Sequence, residues 1–207
     1  MVVTAIAATI GDRFPASSSS TAASPGHVLR SVQRRALGEP DRPVPAGATI
    51  GEPPGALGEA DGAVPDGTTV FDDEIPGVGN LDPALIAALR QAATDAAADG
   101  VVFHVDSGWR SPAYQEHLLH EAVSKYGSEA QAARWVATPD TSAHVSGDAV
   151  DIGPVDAATW LSEHGADYGL CQIYGNEPWH FELRPDAVDR GCPPVYADAS
   201  DDPRMQE

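Results

Sequence analysis

Three short blocks hold most of the residues able to do chemistry: Ser107-Gly-Trp-Arg110-Ser111, Ser142-Ala-His144-Val-Ser-Gly147-Asp-Ala-Val-Asp151 and Glu177-Pro-Trp-His180-Phe-Glu182. His144 and Asp151 offer one nitrogen and one oxygen donor, and a catalytic zinc takes three protein ligands with a fourth position left for water. His180 is the best third donor, because Trp179, Phe181 and Leu183 read as the core face of a strand and alternation puts His180 and Glu182 on the other face. A carboxylate beside a zinc-activated water can take its proton and hand it to a leaving amine. Glu177 and Glu182 both qualify on spacing. Strict alternation favours Glu182, whereas the turn Asn176-Glu177-Pro178 leaves the direction of Glu177 open. A single histidine near a strand end is ordinarily structural or solvated, and Asp151 alone reads as a turn residue. Only the set, with a neighbouring glutamate and a charged loop, argues for a metal.

The other histidines argue against themselves. His117 and His120, beside Glu116 and Glu121, are three apart on a predicted helix and not at the i, i+4 spacing that the two histidines of a zinc helix use, so they read as surface residues. His104 reads as a structural histidine within a strand. His164 precedes Gly165 at a helix end, where a cation suits the dipole. His27 lies in a Pro/Gly-rich stretch.

Several elements must position the blocks. Asp82-Pro83 is an N-cap followed by proline at the first helical position, and the helix it opens runs to Gly100. Residues 101–106 alternate as a strand, with Val101, Phe103 and Val105 on one face. Ser111-Pro112 opens a second helix that stops at Gly127, and a further helical run covers 129–136. Short strands follow over 149–152, 171–174 and 179–183, with a helix over 157–164. Gly147 and the β-branched Val145, Val150 and Ile152 predict two extended pieces joined by a turn around His144 and Asp151. Helices early and strands late indicate an α+β domain with a small antiparallel sheet packed with helices.

The chain has 207 residues, which suits one domain with tails. Residues 16–79 are rich in Pro, Gly, Ser and Ala, have no sustained period and read as a linker or disordered tail. The domain is expected over 80–196, with 197–207 as a C-terminal tail. Residues 1–15 begin apolar, as MVVTAIAATI, but lack a positive n-region, so they read as a truncated signal or anchor segment. No stretch reaches the roughly 18 apolar residues of a transmembrane helix, so membrane contact requires an N-terminal anchor that is retained. With 12 basic against 31 acidic residues the formal charge is -19, which excludes a nucleic-acid partner for want of a basic footprint. Cys171 and Cys192 are the two cysteines. A loop of about 20 residues between them would stabilise the fold by about 3 kcal/mol if oxidised, and the apolar setting of Cys171 disfavours a nucleophile. Nothing in the sequence speaks to oligomeric state.

Taken in order, the blocks resemble the zinc D-alanyl-D-alanine carboxypeptidases of the VanY type, relatives of the VanX dipeptidases. Those families carry an S-G-x-R-S loop, then S-x-H-x-x-G-x-A-x-D, then E-x-W-H, matched here at 107–111, 142–151 and 177–180. The resemblance spans about residues 80–195. It implies Zn2+ on His144, Asp151 and His180, Glu177 as base and then acid, and Arg110 near the scissile carbonyl, with Ser142 and Gln115 beside the substrate. The expected activity is hydrolysis of the terminal D-Ala-D-Ala bond of peptidoglycan stem peptides or precursors, by an extracytoplasmic bacterial protein, secreted or anchored at the cell surface. A D-Ala-D-Ala dipeptidase, a peptidoglycan endopeptidase and a non-catalytic zinc domain that binds wall peptide are the rivals. The serine route to the same reaction needs S-x-x-K, and the only lysine, Lys125, has Ala122 three residues before it.

Overall fold

Asp82 caps the longest early helix, its carboxylate accepting from the Ala84 and Leu85 amides at 2.8 and 3.1 Å, and this helix supplies much of the core. A computed structural model describes residues 57–206, with α1 (Pro76–Gly79), α2 (Pro83–Ala96), β1 (His104–Ser107), α3 (Pro112–Tyr126), α4 (Glu129–Ala132), α5 (Ala143–Ser146), β2 (Ala149–Gly153), α6 (Val155–His164), β3 (Leu170–Gln172), β4 (His180–Leu183) and α7 (Ala187–Arg190). The expected first segment, 1–15, lies outside the described residues, as does the linker up to residue 56.

The four strands form one antiparallel sheet in the order β1-β2-β4-β3. Leu85, Leu89 and Ala92 of α2 and Ala157 and Leu161 of α6 pack on Val105, Val150, Ile152 and Phe181. Each such leucine, fully buried, contributes about 1.5–3 kcal/mol. The alternate residues of the strands point to the opposite face. Register there matters most: Ser107 pairs with Asp151, and Asp151 pairs with His180. Directly paired residues share a face, so the three side chains form a row across three strands.

Several expectations change. The domain begins well before residue 80, because Val70 and Val78 are buried in the core and backbone bonds tie the segment to the site loops. Thr68 O accepts from Val105 N, Gly77 O from Trp109 N, and Asp61 O from Ser111 N. Few apolar residues suffice when each one is inserted between elements of a larger core. The expected tail, 197–207, is over its described residues 197–206 no tail: short 3-10 turns at Ala199–Asp201 and Pro203–Gln206 pack on the sheet, with Asp198 and Asp202 buried. The helix expected over 129–136 ends at Ala132, where the chain turns and Trp135 stacks on Tyr126. The first strand starts at His104, since Val101 N is still bonded to Ala96 O at the end of the preceding helical turn. Trp179 is 40% exposed, not in the core, because β4 begins one residue later.

Two glycines set the approach of the loops. Gly147 has φ +81° and ends α5, and a Cβ there would meet Asn80 O at 2.6 Å; a Cβ on Gly108 would overlap the carbonyl of Gly77.

Cys171 and Cys192 form a disulfide joining β3 to the strand-free segment after α7. Replacing both by serine is expected to lower unfolding free energy by about 3 kcal/mol, the loop-closure contribution for a loop of this size, measured by denaturant titration.

Candidate metal centre and cleft

Asp151 sits at the centre of the row. Its Oδ1 lies 3.1 Å from His180 Nδ1 and 3.5 Å from His144 Nε2. Its Oδ2 accepts from Arg110 Nη2 at 3.1 Å. All three prospective ligands are buried, and one donor atom from each lies within 4.8 Å of the others. Tetrahedral zinc with bonds of about 2.0–2.1 Å needs donor atoms roughly 3.3 Å apart, so the two distances to Asp151 fit that ion.

His144 is not on an extended piece, as expected, but on the single turn of α5, which Gly147 terminates. The turn still delivers the side chain because the Arg110 amide donates to His144 O and the His144 Nδ1 faces Gly108 O at 2.8 Å. A carbonyl partner fixes the proton on Nδ1 and leaves the Nε2 lone pair for a metal. Burial, and then the Arg110 cation, depress the His144 pKa against the pull of Asp151, which favours the neutral ring that ligation requires. His180 differs. Burial disfavours its cation, yet hydrogen bonds to Asp151 and Glu182 outweigh it and hold the pKa up at about 9. A metal at Nδ1 displaces that proton.

The two candidate glutamates lie in different surroundings. Glu182 is 1% exposed, and its Oε1 lies 3.3 Å from His180 Nε2, on the side away from Asp151. Arg184 and Arg204 also bind it, at 2.6 Å for Arg184 and 2.8 and 3.0 Å for Arg204. Glu177 is buried in the wall of the cleft, its Oε2 4.0 Å from His180 Nδ1, and its Oε1 has no hydrogen-bond partner among the described residues. Burial pushes the Glu177 pKa up to about 7. A carboxylate with a raised pKa and an unpartnered oxygen, beside three convergent donors, is suited to move a proton near neutral pH.

Arg110 is held more tightly than a free oxyanion partner would be. Nε donates to Ser107 Oγ at 2.9 Å, Nη1 to Gln115 Oε1 at 3.1 Å and Nη2 to Asp151. Each terminal nitrogen keeps one further N–H, and the residue lines the cleft. Gln115, expected beside the substrate, spends both ends of its amide on the protein, accepting from Arg110 and donating to Ala137 O at 2.8 Å. It orients the arginine. Ser142 is buried in the cleft wall, and its hydroxyl does not cap α5.

The cleft has a volume of about 340 Å³ and runs from the donors along α3 to Tyr126 and Trp135, with Trp179 and Met205 on its other walls. Tyr126 and Trp135 are stacked at 5.8 Å. Sequence reasoning did not find Met205, Arg204 or Trp135; none lies in a motif, and their places depend on long-range packing. His117 and His120 are exposed, as expected, and pair with Glu121 and Glu116.

The family model described as VanY, D-alanyl-D-alanine carboxypeptidase, matches residues 79–186. A D-alanyl-D-alanine carboxypeptidase of Enterococcus faecalis (strain ATCC 700802 / V583) is 30% identical over 139 residues, 54% of this chain and 52% of the relative. The chain thus spans about half the length of the curated relative it matches. Among solved structures, a zinc complex of a variant VanY D,D-pentapeptidase from a VanB-type resistance cassette is 30% identical, with TM-score 0.47, covering 50% of this chain and 72% of that one. The LD-carboxypeptidase LdcB is 24% identical, with TM-score 0.50, covering 65% of this chain and 73% of that one, a likeness of fold.

Proposed function

The chain belongs to the VanY family of D-alanyl-D-alanine carboxypeptidases, and from that premise we propose that it hydrolyses the terminal D-Ala-D-Ala bond of peptidoglycan stem peptides or precursors, with Zn2+ held by His144, Asp151 and His180. One observation carries the reading: three buried donors converge beside Glu177, whose Oε1 is buried without a partner. When bound, zinc supplies Lewis acidity that makes water nucleophilic near neutral pH and polarises a carbonyl. Glu177 takes the proton of the attacking water and returns it to the nitrogen of the departing D-alanine, acting as base and then acid. Arg110, fixed by Ser107, Gln115 and Asp151, offers its remaining N–H groups to the oxygen that becomes negative. Ser142 lines the same wall and can bind the peptide backbone.

The length of the cleft, which continues past the donors to Tyr126 and Trp135, favours a peptide with residues preceding the scissile bond over the free dipeptide. A base and an arginine at the donors favour turnover over a zinc domain that only binds wall peptide. The disulfide supports an extracytoplasmic location, since such bonds persist in oxidising compartments. No described helix is long and apolar enough to cross a membrane.

Incubated with zinc and a stem pentapeptide ending in D-Ala-D-Ala, the purified protein is expected to release free D-alanine, faster than from the dipeptide, and to stop on chelation. Absence of release from both substrates would refute the carboxypeptidase and dipeptidase readings together. Cleavage only of cross-linked wall fragments would replace them with an endopeptidase.

A further inference from the structure

Behind His180, on the side away from the cleft donors, lies a chain of charges that the proposed reaction does not use: two buried carboxylates, Glu182 and Asp202, bridged by Arg204, whose side chain is partly exposed. Its first member is Glu182, two residues along β4 and on the same face as His180. An imidazole that gives one nitrogen to a metal must carry its proton on the other, and a carboxylate acceptor fixes both tautomer and ring orientation. Glu182 Oε1, at 3.3 Å from Nε2, is placed to be that acceptor.

The carboxylate is itself clamped from a distant part of the chain. Arg204 donates through Nη1 to Oε2 at 2.8 Å and through Nη2 to Oε1 at 3.0 Å, a two-pronged grip. Asp202 orients Arg204 in turn, accepting from Nε at 3.0 and 3.1 Å and from Nη2 at 2.5 Å, and Asp202 accepts from Tyr174 OH at 3.1 Å. Tyr174 returns to the start, its ring 5.0 Å from that of His180. The segment is anchored again at Asp198, which accepts from Arg134 Nε at 2.7 Å, and Met205 forms part of the cleft wall. Burying the two carboxylates is costly, and apolar packing there would stabilise the fold as well or better. What charges add is direction.

We propose that Arg204, reaching in from segment 198–206, is a positioning residue for the metal centre: by holding Glu182 it keeps the His180 proton on Nε2 and presents Nδ1 to the metal. The inference rests on the zinc reading above. Segment 198–206 is then a working part of the site and not an appendage.

The test uses the full chain with Arg204→Met and Arg204→Lys. Zinc affinity is measured by competition with a chromophoric chelator, coordination by the visible spectrum of the Co2+-substituted protein, and folding by the melting of the metal-free protein. Arg204→Met should weaken zinc binding by up to about 10-fold, the lower end of the cost of disturbing a partner behind a ligand, because Glu182 stays and Arg184 still holds its Oε2 at 2.6 Å, and it should alter the Co2+ spectrum at temperatures where the protein is folded. Arg204→Lys, which keeps the charge but not the two-pronged grip, should recover part of the affinity. Parent-like affinity and spectrum in Arg204→Met would overturn the proposal, even if its melting temperature falls, because that pattern belongs to a purely structural residue. If Arg204→Met does not fold, Arg204→Lys decides: full parental affinity and spectrum count against the proposal, and an intermediate loss supports it. A parent protein that binds no zinc would overturn the metal reading itself and this inference with it.

Discussion

Glu177→Gln is expected to lower kcat on a D-Ala-D-Ala peptide by about 10²–10⁴-fold, the range for loss of a positioned general base, with zinc content unchanged. The glutamine keeps the shape of the side chain but cannot accept a proton. Its site explains the size of the effect, since Glu177 Oε1 has no hydrogen-bond partner among the described residues and the other glutamate beside His180 is already engaged. Glu182 is committed to His180 and two arginines. The same residue sets a pH dependence. Burial raises the Glu177 pKa to about 7 without metal, and a nearby dication stabilises the carboxylate and moves it down. The base works ionised, so kcat/KM should fall as pH is lowered, with a midpoint at or below about 7, and the limb should vanish in the variant. Loss of zinc from Glu177→Gln, measured by elemental analysis, would reassign the residue as a ligand.

Asp151→Ala should have the second large effect, and on two quantities. Zinc affinity should fall by more than the roughly 100-fold typical of losing a supporting hydrogen bond, because a direct donor is gone. Stability of the metal-free protein should also fall, by about 3 kcal/mol, since Arg110 loses its buried counter-charge. Thermal melting with and without chelator separates the two. A variant that retains parental zinc affinity would refute the assignment of Asp151.

Much of the site was legible in residue types and order, and the reasons differ by residue. His144, Asp151 and His180 could be grouped because a zinc site needs few donor types, although the turn that carries His144 was misread: the β-branched neighbours suggested extended chain, and Gly147 instead closes a single helical turn. Alternation along β4 correctly put Glu182 on the face of His180, yet it could not tell base from partner. The family resemblance favoured Glu177, and the arginines that engage Glu182 could not be foreseen, since Arg204 is 22 positions away. Composition misplaced both domain edges, because averaged apolar content hides a Val70 or Val78 that is fully inserted, and charged residues such as Asp202 and Arg204 look like tail until their partners are known.

The contacts of Gly108 and Gly147 carry a further consequence. These loops meet segment 76–82 backbone to backbone, one bearing the carbonyl that orients His144 and the other ending the turn that holds it. The spacing of the donors is thus inherited from two places where a side chain is missing. Any methyl group there would wedge the loops apart before touching a ligand. Glycine at 108 and 147, where even the methyl group of alanine would collide, is therefore as much a condition of this donor spacing as the three donor residues themselves.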